Sequence, residues 1–416
     1  MFGAALLGRL SYGISPVSLI LALIGATGSY AVAGGVMALF ALTICVFAPV
    51  RAWLIDRYGP ARVLPPMAVA YALVLASLAA ATWRPGAPGP LLGGLAMAAG
   101  VSAPPLGPVM RTLWSELLSD PALLRRGYSL DTVAEDLLYV AGPLLAGLVA
   151  GFAAPSAGVA LSAGLVLAGT LTLVSSPSVR GLSRPRDTTA YGPPKRSRIG
   201  VEVAQPVAAA LGVGLFEGSV ELFMVAFTEQ HHQASAVAWC VASLSAGSVV
   251  GGLIYGALPW RESGRLRLPL LVAVPAVGLA LAGLSPNVHV LAVVAGATGL
   301  FISPALATAY LIADQSAARR ARTQAGAWVN TAVNGGFSGG TAAAGLLLGR
   351  LSLAACFAIA AVPILLAAAT TLVLHICTST TTAGQESAGD DIAGCIETET
   401  HASGLREPDQ RLSGRS

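Results

Sequence analysis

Two acidic residues, Glu217 and Glu221, stand inside a long apolar stretch at residues 206–228. A charged side chain at the centre of a bilayer costs roughly 2.5–3.5 kcal/mol on insertion scales, so a retained one is a functional candidate. Their spacing of four residues puts both on one face of a helix, where two carboxylates cannot both ionise cheaply. The sequence therefore predicts a proton-coupling site here; the alternative is that one or both pair with a buried cation or hydroxyl for structural reasons.

A second group of polar residues, Arg9, Tyr12 and Glu135, lies in other apolar stretches. Arg9 and Tyr12 occupy the first turns of the first stretch, where Arg9 either contacts substrate or extends to the membrane surface. Asp131, Glu135 and Asp136 are predicted to begin the fifth helix, close to Arg111 at the end of the fourth. We expect a charge network where the fifth helix begins. In it, Glu135 lies deeper and faces a cavity, and Asp131 is favoured at the helix start by the helix dipole.

A third group lies in the eleventh stretch, where Asn330 and Asn334 share one helical face and Trp328 is close by. Buried amides either bind substrate or tie neighbouring helices together, and the second interpretation is favoured. These residues complete the candidates for substrate or proton binding.

The elements that must position these side chains follow from composition. The chain has 416 residues, of which 55% are hydrophobic and 11% charged, and a mean hydropathy of +0.73. Soluble domains carry roughly 25% charged residues, so most of this chain is expected to face lipid, which is therefore its main partner. Long unbroken apolar runs favour helices over a barrel.

A spanning helix needs about 20 mostly apolar residues. The sequence predicts an all-α integral membrane protein with twelve such helices, near 4–24, 29–50, 63–83, 88–110, 130–153, 155–174, 206–228, 234–258, 268–285, 288–312, 324–348 and 352–376. One set of loops then holds most of the arginines, including Arg51, Arg125 and Arg126, whereas the other holds only Arg84 and Arg350. This asymmetry predicts that both termini are cytoplasmic, and the arginine-rich composition indicates a bacterial inner membrane.

The chain is expected to divide into two related six-helix bundles. Gly100 and Pro105 recur as Gly299 and Pro304 at a shift of 199, and Gly142 recurs as Gly340. Such repetition is typical of transporters. The predicted units are residues 1–176 and 205–377, with a cytoplasmic linker at 177–204 and a disordered cytoplasmic tail at 378–416.

Prolines and glycines mark two places where helices are expected to bend. Pro104 and Pro105 interrupt the fourth helix, and irregular backbone in a membrane is tolerated only where protein or water covers it. Gly142 and Pro143 lie inside the fifth helix, where proline removes a hydrogen bond and glycine permits close packing.

The loop after the second helix carries the residues 52–62, AWLIDRYGPAR, including Asp56, Arg57, Gly59 and Arg62. It resembles the major facilitator signature G-x-L-x-D-R-x-G-x-x-R, with Ala52 replacing the first glycine. The resemblance implies a secondary transporter that moves a small-molecule substrate, with Asp56, Arg57 and Arg62 in a charge lock for one access state. The segment around Gly142 and Pro143 is similar to a signature of facilitator exporters, which implies proton-coupled efflux.

Two alternatives remain, and several function classes are disfavoured. An uptake symporter would share the fold and reverse the flux. A remote alternative is an intramembrane serine protease, because residues 336–339 spell G-F-S-G and His375 follows on the last helix. We expect no cofactor, since no phosphate loop is present, no metal site and no disulfide among the five cysteines, no nucleic-acid partner, and a monomer.

Overall fold

A computed structural model describes residues 1–177, 179, 201–259 and 263–376, and within these ranges the chain forms helices and turns without a strand. The first half contains α1 (Phe2–Thr27), α2 (Tyr30–Tyr58), α3 (Pro60–Ala81), α4 (Gly89–Ser102), α5 (Leu106–Leu117), α6 (Pro121–Phe152) and α7 (Pro155–Ser175). The second half contains α8 (Val201–Gln230), α9 (Val237–Ala257), α10 (Gly264–Ala282), α11 (Val288–Gly299), α12 (Ile302–Ser316), α13 (Arg322–Leu347) and α14 (Leu353–Ile376).

Helix boundaries follow ordinary capping chemistry. Pro60, Pro121 and Pro155 each open a helix, where the missing N–H costs nothing. Asp120 and Asn287 cap α6 and α11 by accepting a hydrogen bond from a first-turn amide. Within each half the connections between spans are short, so consecutive spans run antiparallel.

The described residues form twelve spans once the broken helices are counted as single spans, which confirms the predicted fold class. Eleven are long and apolar enough to cross a membrane, with α4–α5 and α11–α12 each forming one interrupted span. The remaining span, α13, has 26 residues but is rich in glycine, threonine and asparagine, and it packs along α8. The chain is therefore a multi-pass membrane protein.

Each half has its own hydrophobic core. The first is built around buried residues such as Leu19, Leu75 and Leu92, and the second around Phe216, Phe223 and Phe357. The predicted linker lies mostly, and the predicted tail entirely, outside the described residues, so those boundaries stay predictions.

The fifth span begins earlier than the sequence suggested. The helix α6 starts at Pro121 rather than near residue 130, so Arg125 and Arg126 are helical and not in a loop. Asp131 lies ten residues into the helix, which is about 15 Å at 1.5 Å per residue, and it is fully buried. The predicted role of Asp131 at the helix mouth is therefore wrong, and Asp120 supplies the acidic cap instead.

Arg51 also differs from its predicted place in a loop, because it lies inside α2 and is 4% exposed. Its guanidinium donates to the carbonyls of Gly100 and Ala103, each at 2.7 Å, and to that of Ile44. The Tyr12 hydroxyl donates to the next carbonyl, that of Pro104. These side chains satisfy the backbone that the interruption between α4 and α5 leaves unpaired, as a hydrocarbon environment requires.

The two halves repeat each other at particular contacts. The interruption between α11 and α12 falls just after Gly299, as the one between α4 and α5 falls just after Gly100. Gly142 of α6 packs on the backbone of Gly13 in α1, and Gly340 of α13 packs on that of Leu215 in α8. A Cβ at either position would collide with that backbone, so both helix pairs depend on glycine for their approach. The helix α6 continues through Pro143.

Candidate functional site

Four charged side chains, three of them buried, join three helices of the first bundle. Arg9 of α1 lies 2.7 Å from Asp131 and 3.1 Å from Glu135, both on α6. Arg111 of α5 lies 2.9 Å from Asp131 and also pairs with Glu135. Both guanidiniums are 3% exposed, and two cations balance two anions, which is how buried charges are normally retained. We call these four residues the central network.

Arg9 and Glu135 were candidates for substrate or proton binding from the sequence. In the structure both belong to one network with Arg111 and Asp131. Arg9 does not extend to the membrane surface, since its guanidinium is enclosed by the two acids. Glu135 is the most accessible member, at 25% exposure. It is therefore the member best placed to meet a ligand.

Tyr310 of α12 extends this network to the second bundle. The Arg111 guanidinium carbon lies 3.4 Å from the centre of the Tyr310 ring, a cation–π contact. The Tyr310 hydroxyl donates to Asn330 of α13 at 3.3 Å. Sequence analysis missed Tyr310, because nothing in its local sequence shows that it meets an arginine from the other half.

The two asparagines of α13 have different roles. Asn330 accepts from Tyr310, whereas the Asn334 amide donates to the carbonyl of Asn330 at 2.8 Å, within its own helix. Trp328 is 39% exposed and no described contact brings it to either asparagine. Asn330 is therefore the member of this group that is connected, through Tyr310, to the contact with Arg111.

Glu217 and Glu221 of α8 face the same region from the second bundle. Glu217 is partly buried and lies within electrostatic range of Glu135 and Asp136 as well as Glu221. Glu221 is exposed. Neither takes part in the ion pairs found among the described residues, so their charge is not neutralised as that of Glu135 is.

Tyr139 of α6 shows that this region is open. It interacts electrostatically with Glu135, Glu217 and Tyr310, which lie on three different helices, and yet it is 64% exposed. We interpret this accessible ring, which is close to residues of α8 and α12 as well as of its own helix, as lining a cleft between the bundles. On this interpretation Glu217 and Glu135 line the same cleft, and Glu221 lies one helical turn from Glu217.

The arginine-rich end of the molecule is closed. The Asp56 carboxylate, near the end of α2, accepts from the backbone amides of Thr323 at 3.2 Å and Gln324 at 2.9 Å. These amides open α13, so an acid of one bundle caps a helix of the other. The hydroxyls of Thr112 and Thr323 add a contact of 3.1 Å beside this cap.

A second contact at this end runs through Arg322. Its guanidinium donates to Ser115 of the first bundle at 3.1 Å and lies 3.8 Å from Asp314 of its own bundle. Between this pair and the central network is a cavity of about 10 Å³ bordered by Arg111 and Tyr310, which is room for about one water. A larger hollow of about 500 Å³ at the opposite end is lined by the loops before α2 and α4 and borders no ionisable side chain.

The other residues of the signature loop lie outside this contact. Arg57 is exposed and lies over the rings of Trp53 and Tyr58, at 5.4 and 5.5 Å. Gly59 has a φ of 85° and ends α2, a conformation that favours glycine. Arg62 is exposed. Asp56 alone makes the inter-bundle contact described here, and the charge-lock role of the two arginines stays a prediction.

Asp136 is a further acid that sequence analysis noted only as part of a helix start. Its carboxylate accepts from Ser248 of α9 and from Ser303 of α12, each at 2.7 Å. Both donors belong to the opposite bundle. Serines are common in membrane helices, so the sequence gives no signal for this pairing.

The geometry disfavours a serine–histidine pair. Ser338 is exposed next to the glycine of α13 that packs on α8. The helices α13 and α14 are antiparallel neighbours, and counting helical rise from their shared turn places Ser338 and His375 about 20 Å apart along the axis. In the described part of the chain, no three His, Cys, Asp or Glu side chains are placed to hold a metal ion.

Comparison with known proteins identifies the architecture. No protein-family model matches the chain, and no curated protein sequence matches it. Among solved structures, a bacterial homologue of the iron transporter ferroportin in an outward-facing state is similar, with a TM-score of 0.69 and 15% identity over 91% of this chain and 98% of that one.

Two further structures show the same likeness. The same bacterial homologue with soaked iron has a TM-score of 0.68 and 14% identity, over 90% and 97% of the two chains. The human organic anion transporter MFSD10 (TETRAN) has a TM-score of 0.63 and 14% identity, over 88% and 97%. At these identities the likeness shows the fold, which is the one that the signature loop predicted.

Proposed function

Because the chain has the major facilitator fold, we propose that it is a secondary transporter that carries a small amphipathic compound across a bacterial inner membrane. The two bundles rock about a site near the middle of the membrane, which opens to one side at a time. No nucleotide or other cofactor enters the cycle, and the single chain is the transporting unit.

The observation that carries this proposal is the position of the central network between an accessible cleft and a closed end. Glu135 borders the cleft, and Arg111 is held by Tyr310 of the other bundle. Beyond them, Asp56 and Arg322 join the bundles. The similar bacterial ferroportin homologue was solved facing outward, and we assign the present arrangement to the same state.

Proton-driven efflux is the direction that we propose. Glu217 and Glu221 lie in the cleft without a cation partner among the described residues, so a proton or a substrate can neutralise either of them. Substrate and proton then compete for Glu217. This competition couples outward movement of the substrate to inward movement of the proton. Export follows from the resemblance of the segment around Gly142 and Pro143 to that of exporters.

Transport in inverted membrane vesicles tests this proposal. We expect uptake of fluorescent amphipathic dyes, ethidium included, to require an imposed proton gradient and to fall at least tenfold in Glu217→Gln. Glu229→Gln, which changes an exposed acid at the end of the same helix, should leave the flux unchanged. Flux that needs no gradient and survives Glu217→Gln would contradict proton antiport.

The second candidate is uptake by proton symport, which the same cleft and acids would support. Right-side-out vesicles distinguish the two directions. A symporter would accumulate the dye in these vesicles under an inward proton gradient, whereas an exporter would not.

A further inference from the structure

Asp136 lies at the midpoint of α6 and faces the opposite bundle. One oxygen of its carboxylate, Oδ2, accepts from the hydroxyls of both Ser248 and Ser303 at 2.7 Å. The two serine oxygens lie 3.2 Å from each other. Three polar groups from three helices thus meet at one point of the inter-bundle contact.

The contact immediately around Asp136 is tight and is formed by small side chains and by Val133. Ser129, two turns before Asp136 on α6, donates to the carbonyl of Gly252 on α9. A Cβ at Gly252 would lie within 3.0 Å of Ser303 and closer still to Val133. The helices α6, α9 and α12 therefore touch through small side chains, and we call this contact the Asp136 seam. Because this contact is closely packed, the surrounding side chains cannot rearrange freely when the charge of Asp136 changes.

The charged neighbours of Asp136 come from two helices. Glu135 on α6 and Glu217 on α8 lie within electrostatic range, and both are acids. The helices α9 and α12 present Ser248 and Ser303 at this level. Hydroxyls rather than a cation thus stabilise the ionised carboxylate.

Hydrogen counting shows why protonation matters at this point. Each serine has one hydroxyl hydrogen, and both serine oxygens lie 2.7 Å from Oδ2, so an ionised Asp136 can accept both hydrogens there. Such charge-assisted bonds are roughly twice as strong as neutral ones. A neutral Asp136 carries its own O–H, which needs an acceptor. With the proton on Oδ1 the two serine bonds lose their charge assistance, and with the proton on Oδ2 one serine must also turn its hydrogen away.

We propose that Asp136 is a proton-binding site that switches the contact between the bundles. With the carboxylate ionised, the two serines hold α9 and α12 against α6, and the arginine-rich end stays closed. With a proton bound, the seam loosens and the bundles slide, which opens that end. The proposal rests on the membrane fold and on this seam, and it requires neither a particular substrate nor a direction of transport.

Distance measurements on the full chain test the switch, with pH as the only variable. Spin labels are placed at Arg62→Cys and Ala318→Cys, exposed positions in the two bundles at the closed end, in a variant without other cysteines and in lipid nanodiscs. We expect acidification to shift the ratio of the longer to the shorter distance on the order of tenfold. Asp136→Asn, which keeps the size and one acceptor oxygen, should show a distribution that does not change with pH.

Two further variants isolate the cause. Glu217→Gln should keep the response to pH, because the seam is intact. Ser248→Ala with Ser303→Ala should favour the longer distance even at alkaline pH, because the ionised carboxylate has lost both donors.

The outcomes separate this inference from the transport proposal. A wild-type chain without a pH response, or an Asp136→Asn variant that responds as the wild type does, overturns the switch. If Glu217→Gln abolishes dye flux while Asp136→Asn keeps the full distance response, the switch fails and transport stands. If the distances follow Asp136 and no dye moves in any vesicle, the switch stands and the transport proposal loses its support.

Discussion

At the scale of single residues, the central network shows how a membrane protein retains four charges in its interior. Arg9 and Arg111 each contact both acids, so each charge has two partners. Bringing such charges out of water costs several kcal/mol per ion, and only close, complete pairing offsets that cost. Removal of one member therefore leaves an uncompensated charge.

Arg111→Ala should destabilise the fold by about 3–5 kcal/mol, because Asp131 and Glu135 would then share Arg9 alone. Thermal unfolding in detergent measures the effect as a large fall in Tm. Arg84→Ala, which removes an exposed arginine, is the matched control and should leave Tm unchanged. An equal, small effect of both substitutions would show that the network does not hold the bundle together.

The sequence indicated some of these residues and not others. Arg9, Glu135 and Glu217 could be chosen because a charge in an apolar stretch is costly and needs a reason. Tyr310 and Asp136 could not, since their partners lie 199 residues away in Arg111 and 167 away in Ser303. A tyrosine or serine in a membrane helix is too common to signal such a partner. Trp328, chosen for its place beside two asparagines, meets neither.

At the scale of helices, the two ends of α13 are bound in different ways. Its first amides are capped by Asp56 from the other bundle, whereas its later turns pack through Gly336 and Gly340 on α8. The first contact is polar and reversible, and the second is a close fit of backbone on backbone. The helix can therefore leave α2 and still remain with its own bundle.

Asp56→Ala should loosen the closed end by about 1 kcal/mol, the usual value of a helix cap. A cysteine at Thr112, which lies beside the cap, should then react with a maleimide about five times faster than in the parent protein. Arg57→Ala, whose side chain lies over Trp53 and Tyr58 instead, serves as the control. If both substitutions raise the rate equally, the cap is not what closes this end.

The contact of α6 with α1 depends on Gly142. Gly142→Ala should cost about 1–3 kcal/mol, because the new methyl group would collide with the backbone at Gly13. Gly147→Ala, on the same helix with open space around it, should be neutral. Thermal unfolding of the two variants provides the comparison, and equal values of Tm would show that α1 can move away without cost.

Helix boundaries show where sequence reasoning was limited. The interruption near Pro104 and Pro105 could be read from the prolines themselves. The start of α6 at Pro121 could not be read from hydropathy, since Arg125 and Arg126 in its first turns resemble a loop. Asp120 and Pro121 were the available signal, because an acid before a proline is typical of a helix start.

At the scale of the whole molecule, the distribution of arginines and the repetition of the two halves were sufficient to predict the fold. Twelve apolar stretches and an offset near 199 residues require no knowledge of contacts. The relation between the bundles is different, because Asp56, Asp136 and Tyr310 each act across a boundary that hydropathy does not describe. The sequence thus predicts two bundles but not the residues that form the contacts between them.

The predicted orientation of the molecule rests on the same arginines and is directly testable. In intact cells, an impermeant maleimide should label Arg84→Cys and His289→Cys but not Arg62→Cys or Ala318→Cys, all of them exposed positions. Positive residues are retained on the cytoplasmic side, which places the Asp56 end inside. Labelling of residue 62 together with residue 84 would refute the topology.

The anchoring of Arg51 has a mechanical consequence. Two of its three hydrogen bonds attach α2 to the interruption between α4 and α5, and Asp56 follows only five residues later on the same helix. A displacement of α13 that moves Asp56 is therefore transmitted along α2 to the interruption between α4 and α5. We therefore expect the first bundle to move as one rigid body. In such a movement the interruption between α4 and α5 transmits force from α2 and does not bend.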